Sequence, residues 1–232
     1  MIVYGKNVIR EIIYNQREIY KLYLDNKFKD FKFLKFLESK QINYETVAKD
    51  KLNELTNNAL HQGVVADVKP YEYIQIENIV DANKKQNLII LDEISDPHNL
   101  GAILRTAEAA GIDGIVVATR NQVPLNATVA KVSSGAIEHV PVIQAANLID
   151  LIKYLKNNKF IIVGTAGDAN LEYNDLPKTQ SIAVILGSEG EGMRSQIKQA
   201  CDLLVKIPMY GKINSLNVSV AGALIMYEMI KK

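Results

Sequence analysis

IAVILGSEGEGM, residues 182–193, joins an apolar run typical of a buried strand to a glycine-rich turn. Two further stretches share this plan: DPHNLGAILR at 96–105, and IPMYG at 207–211, which runs on to SLNVSVA at 215–221. Each places Gly, Pro, Asn or Ser between a strand-like run and a helix-like run. In open α/β sheets, ligands bind at the carboxyl ends of the strands, where such turns lie. The three stretches therefore predict an α/β fold with a ligand site at these turns.

On both sides of these stretches, the second half of the chain repeats strand, turn and helix. The strand-like runs are rich in Val, Ile and Leu and do not alternate with polar residues: 88–91, 114–118, 140–143, 160–164, 182–186 and 203–207. Continuous apolar strands indicate a parallel sheet that is covered on both faces. The helical runs between them are 99–110, 126–136, 147–157, 193–200 and 216–230. This order predicts a doubly wound parallel sheet.

The first half of the chain has a different pattern, which predicts a small α/β domain. Apolar residues recur at helical spacing over 8–13 and 31–37, and strand-like runs cover 19–24 and 63–68. The polar stretch that follows separates this pattern from the second half. We therefore expect a first domain at 1–72, a linker at 73–86 and a second domain at 87–232.

The bulk composition limits the class of protein. The 232 residues are 48% hydrophobic and carry a net charge of +1, which permits a sizeable core and gives no nucleic-acid signal by itself. The single cysteine, Cys201, excludes a disulfide framework. The first residues do not resemble a signal peptide, and no apolar run is long enough to span a bilayer. We expect a cytoplasmic protein.

Helix formation explains only part of the stretch 96–105. Asp96 suits the N-cap and Pro97 the first turn. The buried stripe of this helix would then consist of Leu100, Ile103, Leu104 and Ala107. Asn99 and Arg105 lie off that stripe. Because an arginine near the ligand end of a helix can hold a phosphate with two parallel hydrogen bonds, both are candidate site residues.

The turn at 187–192 reads G-x-x-G-x-G, a spacing that matches neither the dinucleotide fingerprint nor the Walker A loop. A tight turn needs glycine where φ is positive, and three glycines in six positions exceed what one turn usually needs. Backbone that passes close to a flat ligand such as adenine explains the excess. Glu189 lies among these glycines without an evident structural task, and it is a candidate site residue.

The last stretch precedes a helix that is apolar around nearly its whole circumference, as expected in a core or a subunit interface. Ser215 can cap this helix. Asn217 and Ser219 are polar positions on it, and the local backbone or a ligand site can account for them.

Other positions carry weaker signals. Thr165 and Ala166 follow the strand-like run 160–164 and belong either to turn chemistry or to a ligand contact. The three histidines, His61, His98 and His139, form no metal-binding spacing with Cys201. We therefore expect no metal site.

Together, the three stretches resemble the SpoU/TrmH family of RNA ribose 2′-O-methyltransferases. The resemblance implies a knotted catalytic domain in the second half, in which the C-terminal segment threads through a loop to form a trefoil knot. The first half resembles the small L30e-like RNA-binding domain fused to some members. The runs YGKNV at 4–8, HQGVVA at 61–66 and NATVAKVSSGA at 126–136 are similar to the subgroup that methylates a guanosine ribose in 23S ribosomal RNA.

The resemblance also implies S-adenosylmethionine as the cofactor, RNA as the substrate and a homodimer that forms through the C-terminal domain. The cofactor pocket would be lined by Thr165, Ala166, Gly187, Ile207, Met209 and Leu216. The reaction site would comprise Arg105, Asn99, Glu189, Ser215 and Asn217. The ribose hydroxyl must lose its proton during the transfer, and either Arg105 or Glu189 could assist. A guanidinium holds its proton far above neutral pH, which makes Arg105 an awkward base.

Two other functions stay open at this point. The chain could be an RNA-binding protein whose methyltransferase half is inactive, or a nucleotide-dependent enzyme with a doubly wound fold. The presence of Asn99, Arg105, Glu189 and Asn217 argues against the first, and the absence of a phosphate loop against the second. Within the methyltransferase interpretation, transfer RNA is the alternative substrate.

Overall fold

The structure is a computed structural model that describes residues 1–188 and 192–231. The strands are β1 Ile2–Tyr4, β2 Ile19–Asp25, β3 Glu45–Val47, β4 Val64–Val68, β5 Asn87–Leu91, β6 Gly114–Ala118, β7 Val142–Ala145, β8 Ile161–Thr165, β9 Leu171–Glu172, β10 Ile182–Leu186 and β11 Leu203–Lys206. The helices are α1 Lys6–Tyr14, α2 Phe31–Ser39, α3 Lys49–Thr56, α4 Pro97–Ala110, α5 Ala127–Val132, α6 Leu148–Asn157, α7 Ser195–Ala200 and α8 Val218–Met229. Short 3₁₀ turns cover Ile76–Asn78, Ala136–Glu138 and Tyr173–Asp175.

The chain divides into two compact units. The larger comprises Tyr73–Pro124 and Val140–Lys232. Its sheet has the order β7-β6-β5-β10-β8-β11-β9, and every neighbouring pair is parallel. The predicted parallel α/β sheet is therefore confirmed. After β5 the chain adds β6 and then β7 on one side. It then places β8 and β10 on the other side of β5, so the direction in which strands are added reverses between β5 and β10. Such a reversal opens a crevice at the carboxyl ends of the strands.

The core of this unit follows from the continuous apolar strands. One face of the sheet packs against α6 and α7 through Leu88, Ile90, Val116, Ile143, Ile162, Ile185, Leu155 and Ile197. The predicted stripe of α4 is fully buried, at Leu100, Ile103, Leu104 and Ala107. α8 packs against α4. Among the described residues, no helix is long and apolar enough to cross a membrane.

Residues 73–86, expected to be a linker, pack into the larger unit. The Ile74 backbone N–H donates to the Val142 carbonyl at 2.9 Å, and Ile76 is part of the buried core. The partly buried Ile79 and Val80 pack against the same core. These apolar side chains outweigh the polar residues that suggested a linker.

The smaller unit comprises Met1–Glu72 and Leu125–His139. Its sheet has the order β1-β4-β2-β3, with β4 antiparallel to both neighbours and β2 parallel to β3. The second segment had been assigned by sequence to the domain at 87–232. Helix α5 ends at Val132, before the helix end predicted at 136, because Ser134 and Gly135 both adopt positive φ.

A buried acidic side chain ties that segment to the first residues of the unit. Glu138 Oε1 accepts a hydrogen bond from the Tyr71 hydroxyl at 2.8 Å and lies 3.4 Å from Arg17 Nη2. The Arg17 guanidinium lies 3.7 Å from the centroid of the Tyr71 ring. Burial raises the pKa of Glu138. A carboxylate taken out of water needs such partners, and Glu138 thereby links 125–139 to the rest of the smaller unit.

Candidate active site

A cleft of about 1000 Å³ lies in the larger unit beyond the carboxyl ends of β8, β10 and β11. The six residues assigned by resemblance to cofactor binding all line it: Thr165, Ala166, Gly187, Ile207, Met209 and Leu216. They come from three separate segments of the chain. The structure therefore brings this predicted set together in one place.

Hydrogen bonds to the sheet hold the β8 side of the cleft. The Thr165 hydroxyl donates to the Ile185 carbonyl at 2.9 Å, and the Ala166 N–H donates to the Val205 carbonyl at 2.9 Å. Glu172 and Lys206 also line the cleft, and the sequence had not singled them out. The Glu172 backbone N–H donates to Asp175 Oδ2 at 2.9 Å, which ties this residue to the 3₁₀ turn that follows it.

The glycine-rich turn brings its two arms into direct contact. A Cβ on Gly187 would lie 2.3 Å from the carbonyl carbon of Gly192, so only glycine fits there. Ser188 and Gly192 exchange two backbone hydrogen bonds of 3.1 Å each, and both line the cleft. Positive φ, which the turn was expected to require, occurs at Gly192 and is not what restricts Gly187. Glu189 lies outside the described residues.

Asp92 and Arg194 form an ion pair beside this turn that the sequence did not reveal. Asp92 is 1% exposed at the end of β5. Its Oδ1 accepts from Arg194 Nε at 2.9 Å and lies 2.6 Å from Arg194 Nη2. Its Oδ2 accepts from the Arg194 backbone N–H at 3.1 Å. The hydrogen bond that Arg194 donates to Asp92 is the main cause of the raised pKa of Arg194.

At the start of α4, the predicted cap is confirmed. The Asp96 carboxylate accepts from the His98 N–H at 2.8 Å, and Pro97 occupies the first turn. Asn99 was expected to lie away from the buried stripe, but it is buried. Because α8 packs against α4, this side chain is covered, and its Oδ1 accepts from Asn217 Nδ2 at 3.0 Å.

The cap of α8 is Asn217, not Ser215 as predicted. Asn217 Oδ1 accepts from the Ser219 N–H at 2.9 Å and from the Ser219 hydroxyl at 2.6 Å. These two hydrogen bonds cap the helix, which begins at Val218. Both Ser215 and Asn217 line the cleft, so the structure brings these two reaction-site candidates to the cofactor candidates.

Arg105 is not brought to the cleft with them. It is exposed on α4, about 9 Å along the helix axis from Asn99 at about 1.5 Å per residue. In the part of the chain that the structure describes, no carboxylate lies within ion-pair distance of Arg105.

Two of the three histidines make hydrogen-bonding contacts within the smaller unit. His61 is buried, with Nδ1 accepting from the Gly63 N–H at 3.0 Å and Nε2 lying 3.0 Å from Asn53 Oδ1. His139 Nε2 lies 2.8 Å from Glu11 Oε2. Among the described residues, no group of histidine, cysteine and acidic side chains could hold a metal ion.

Comparisons with known proteins agree with this geometry. Residues 86–227 match the family model described as the SpoU rRNA Methylase family, and residues 2–74 match the model for RNA 2′-O ribose methyltransferase substrate binding. A putative TrmH family tRNA/rRNA methyltransferase of Staphylococcus aureus is 42% identical over 100% of this chain and 96% of its own length.

Two solved structures share the fold. The SpoU methyltransferase AviRb of Streptomyces viridochromogenes, in complex with AdoMet, superposes with a TM-score of 0.84 at 23% identity, over 99% of this chain and 89% of its own. An AdoMet-bound rRNA methyltransferase from Sinorhizobium meliloti superposes with a TM-score of 0.83 at 23% identity, over 98% and 85%. The extent of the family match and the identity to the staphylococcal relative establish that this chain belongs to the SpoU family of RNA methyltransferases.

Proposed function

We propose that the protein transfers a methyl group from S-adenosylmethionine to the ribose 2′-hydroxyl of a nucleotide in RNA. The observation that carries this proposal is that the six cofactor candidates implied by the family resemblance all line one cleft at the carboxyl ends of the strands. The family match supplies the reaction class, RNA methylation.

The cleft fits S-adenosylmethionine on the chemistry of its walls. Gly187, Ser188 and Gly192 line one wall of the cleft, and their backbone would face an adenine ring there. Ile207, Met209 and Leu216 add apolar contacts, and Thr165, Ala166 and Gly187 would complete the pocket. The cofactor, when bound, supplies an already activated methyl group on a sulfonium. The protein must therefore align the hydroxyl and assist loss of its proton.

We assign the reaction site to Arg105, Asn99, Glu189, Ser215 and Asn217. Asn217 and Ser215 line the cleft, and Asn99 holds Asn217 in place. Arg105 grips the phosphate next to the reacting ribose, because a planar guanidinium can donate two parallel hydrogen bonds. It also stabilises negative charge that develops on the oxygen. A guanidinium is a poor base, which favours Glu189 over Arg105 in that role.

For the substrate, we propose a guanosine of 23S ribosomal RNA. The runs at 4–8, 61–66 and 126–136 support this choice through their resemblance to that subgroup. All three runs lie in the smaller unit, the third within its second segment at 125–139. This unit is the proposed RNA-binding domain, built on residues 1–72, with methyl transfer assigned to 87–232. Transfer RNA is the alternative, since the staphylococcal relative is named for both. Such an enzyme would work in the cytoplasm.

We further propose that the active form is a homodimer that associates through α8. The helix exposes an apolar row of Val220, Leu224, Tyr227 and Ile230. Residues three and four apart on a helix share one face, so these side chains form one surface for a second copy. The trefoil knot implied by the family resemblance stays a prediction.

Methyl transfer from labelled S-adenosylmethionine tests the proposal. Transcripts of 23S ribosomal RNA and a pool of transfer RNA would be incubated with the protein, and the modified nucleotide mapped by its resistance to alkaline cleavage. We expect label at one ribose of the ribosomal transcript. Label only in transfer RNA would support the alternative substrate. Cofactor binding without transfer to either RNA would indicate an inactive RNA-binding protein.

A further inference from the structure

We infer that Asp92 is a positioning residue that holds both ends of the glycine-rich turn, with Arg194 as its partner. The inference rests on the proposed function, because the turn matters as a wall of the S-adenosylmethionine cleft. Asp92 itself does not line the cleft. It would therefore act through Gly187, Ser188 and Gly192, which do.

One residue makes contacts on both sides of the turn. The Asp92 backbone N–H donates to the Leu186 carbonyl at 2.9 Å, immediately before Gly187. The Asp92 carboxylate accepts from the Arg194 backbone N–H at 3.1 Å, immediately after Met193. The chain entering the turn and the chain leaving it are thus attached to the same point at the end of β5.

The side chain of Arg194 makes further contacts with the Asp92 carboxylate. Its Nε and Nη2 both approach Asp92 Oδ1, while Nη1 lies 3.6 Å from Glu93 Oε1. Asp92 is almost fully buried, and Arg194 is about half exposed. A buried carboxylate is costly unless its oxygens are bonded, so the pair favours a single position of Arg194 relative to β5.

The turn has little room to tolerate a shift. Its arms already pack backbone against backbone at Gly187 and Gly192, and the two hydrogen bonds between Ser188 and Gly192 require their present register. If Arg194 were released from Asp92, the outgoing arm could move away from the incoming one. The cleft wall would then lose the shape that fits a flat ring.

Three variants weaken the contact between Asp92 and Arg194 to different extents. Asp92→Asn keeps the size of the side chain and removes one acceptor oxygen. Arg194→Gln removes the guanidinium but keeps the backbone N–H. Arg194→Pro removes both donors, and the φ of −57° at this residue already suits proline. The matched control is Lys198→Gln, which breaks the more exposed Lys198–Asp168 ion pair in the same region.

Calorimetry with S-adenosylmethionine and amide hydrogen exchange of the ligand-free protein are the two measurements. We expect the Kd to rise about tenfold, or about 1.4 kcal/mol, for Asp92→Asn and Arg194→Pro, because the turn would no longer be held in the shape that binds the cofactor. Arg194→Gln should give a smaller rise, and Lys198→Gln none. The Ser188 and Gly192 amides should exchange faster in the same order.

An unchanged Kd together with unchanged exchange at Ser188 and Gly192 in Arg194→Pro would overturn the inference. If Asp92→Asn does not fold, the two Arg194 variants decide the question. If the wild-type protein does not bind S-adenosylmethionine, the proposed function fails. The exchange measurement then still tests the positioning role, because it needs no ligand.

Discussion

The Asn217 side-chain amide donates a hydrogen bond to Asn99 Oδ1 at 3.0 Å, which joins residues 118 positions apart in the chain. Asn99 is buried on α4, and Asn217 caps α8 at the edge of the cleft. The side-chain oxygen of Asn217 is at the same time occupied by Ser219. The pair therefore fixes the first turn of α8 against α4, and with it the position of a reaction-site candidate.

Asn217→Ala should lower both stability and activity. The cap contributes about 1 kcal/mol, and removing a donor from a buried amide costs about a further 1–3 kcal/mol. Asn147→Ala is the matched control, because Asn147 caps α6 through Ile149 in an exposed position. Thermal unfolding should show a larger loss for Asn217→Ala than for the control. Equal losses would mean that the bond to Asn99 contributes nothing.

Gly187→Ala should abolish S-adenosylmethionine binding, and Gly187→Val should do the same. Even a methyl group would overlap the Gly192 backbone, so the two arms of the turn must separate. Calorimetry should find no binding for Gly187→Ala, and circular dichroism checks that the variant is still folded. Wild-type affinity in Gly187→Ala would contradict the assignment of the pocket.

Charge on the exposed face of α8 should produce monomers. Leu224 and Tyr227 are exposed on this helix, so Leu224→Glu with Tyr227→Glu should leave the fold intact. Met226 would be a poor choice because it is fully buried, and Met226→Glu should unfold the protein. Analytical ultracentrifugation reports the mass. A folded dimer in the double variant would rule out this helix as the interface.

The Cys201 thiol should react slowly with alkylating reagents in the native protein. Burial raises the pKa of Cys201 to about 11 from an ordinary value of 9.0, and its thiol donates to the Ile197 carbonyl. Only the thiolate reacts, so alkylation by iodoacetamide at about pH 8 should be much slower in native than in denatured protein. The native rate should climb as the pH approaches that pKa. Equal rates in the two states would show that the thiol is accessible and unperturbed.

The apolar runs of the sequence predicted the sheet well, because a fully buried parallel strand needs a continuous apolar run of a few residues. Strand 114–118 and strand 182–186 match the structure at both ends. Strand 140–143 was placed two residues early, since Pro141 has no N–H to give to the sheet. Shorter and more polar elements such as β3 and α3 were missed because tertiary packing, not a local pattern, forms them.

Contacts between residues far apart in the chain limited how much of the site the sequence could predict. The sequence could indicate Asn99 and Asn217 separately, but not that α8 would cover Asn99. Asp92 and Arg194 had no signal, because their relation depends on two loops 102 residues apart. The segment 125–139 likewise follows β6 in the chain yet packs with the first 72 residues. A truncation that removes those residues would leave this segment without its partners, so it cannot cleanly separate RNA binding from catalysis.

Single-turnover methylation by Arg105→Ala tests the proposed function most directly. Arg105 is exposed, so its removal should cost only about 0.5 kcal/mol of stability, as at ordinary surface sites. Glu108→Ala, on the same helix, is the control for a surface change. Arg105→Lys should restore little activity, because an ammonium lacks the planar pair of donors. We predict loss of methyl transfer in Arg105→Ala with S-adenosylmethionine affinity nearly intact. Near-normal transfer in that variant would contradict the proposed reaction site.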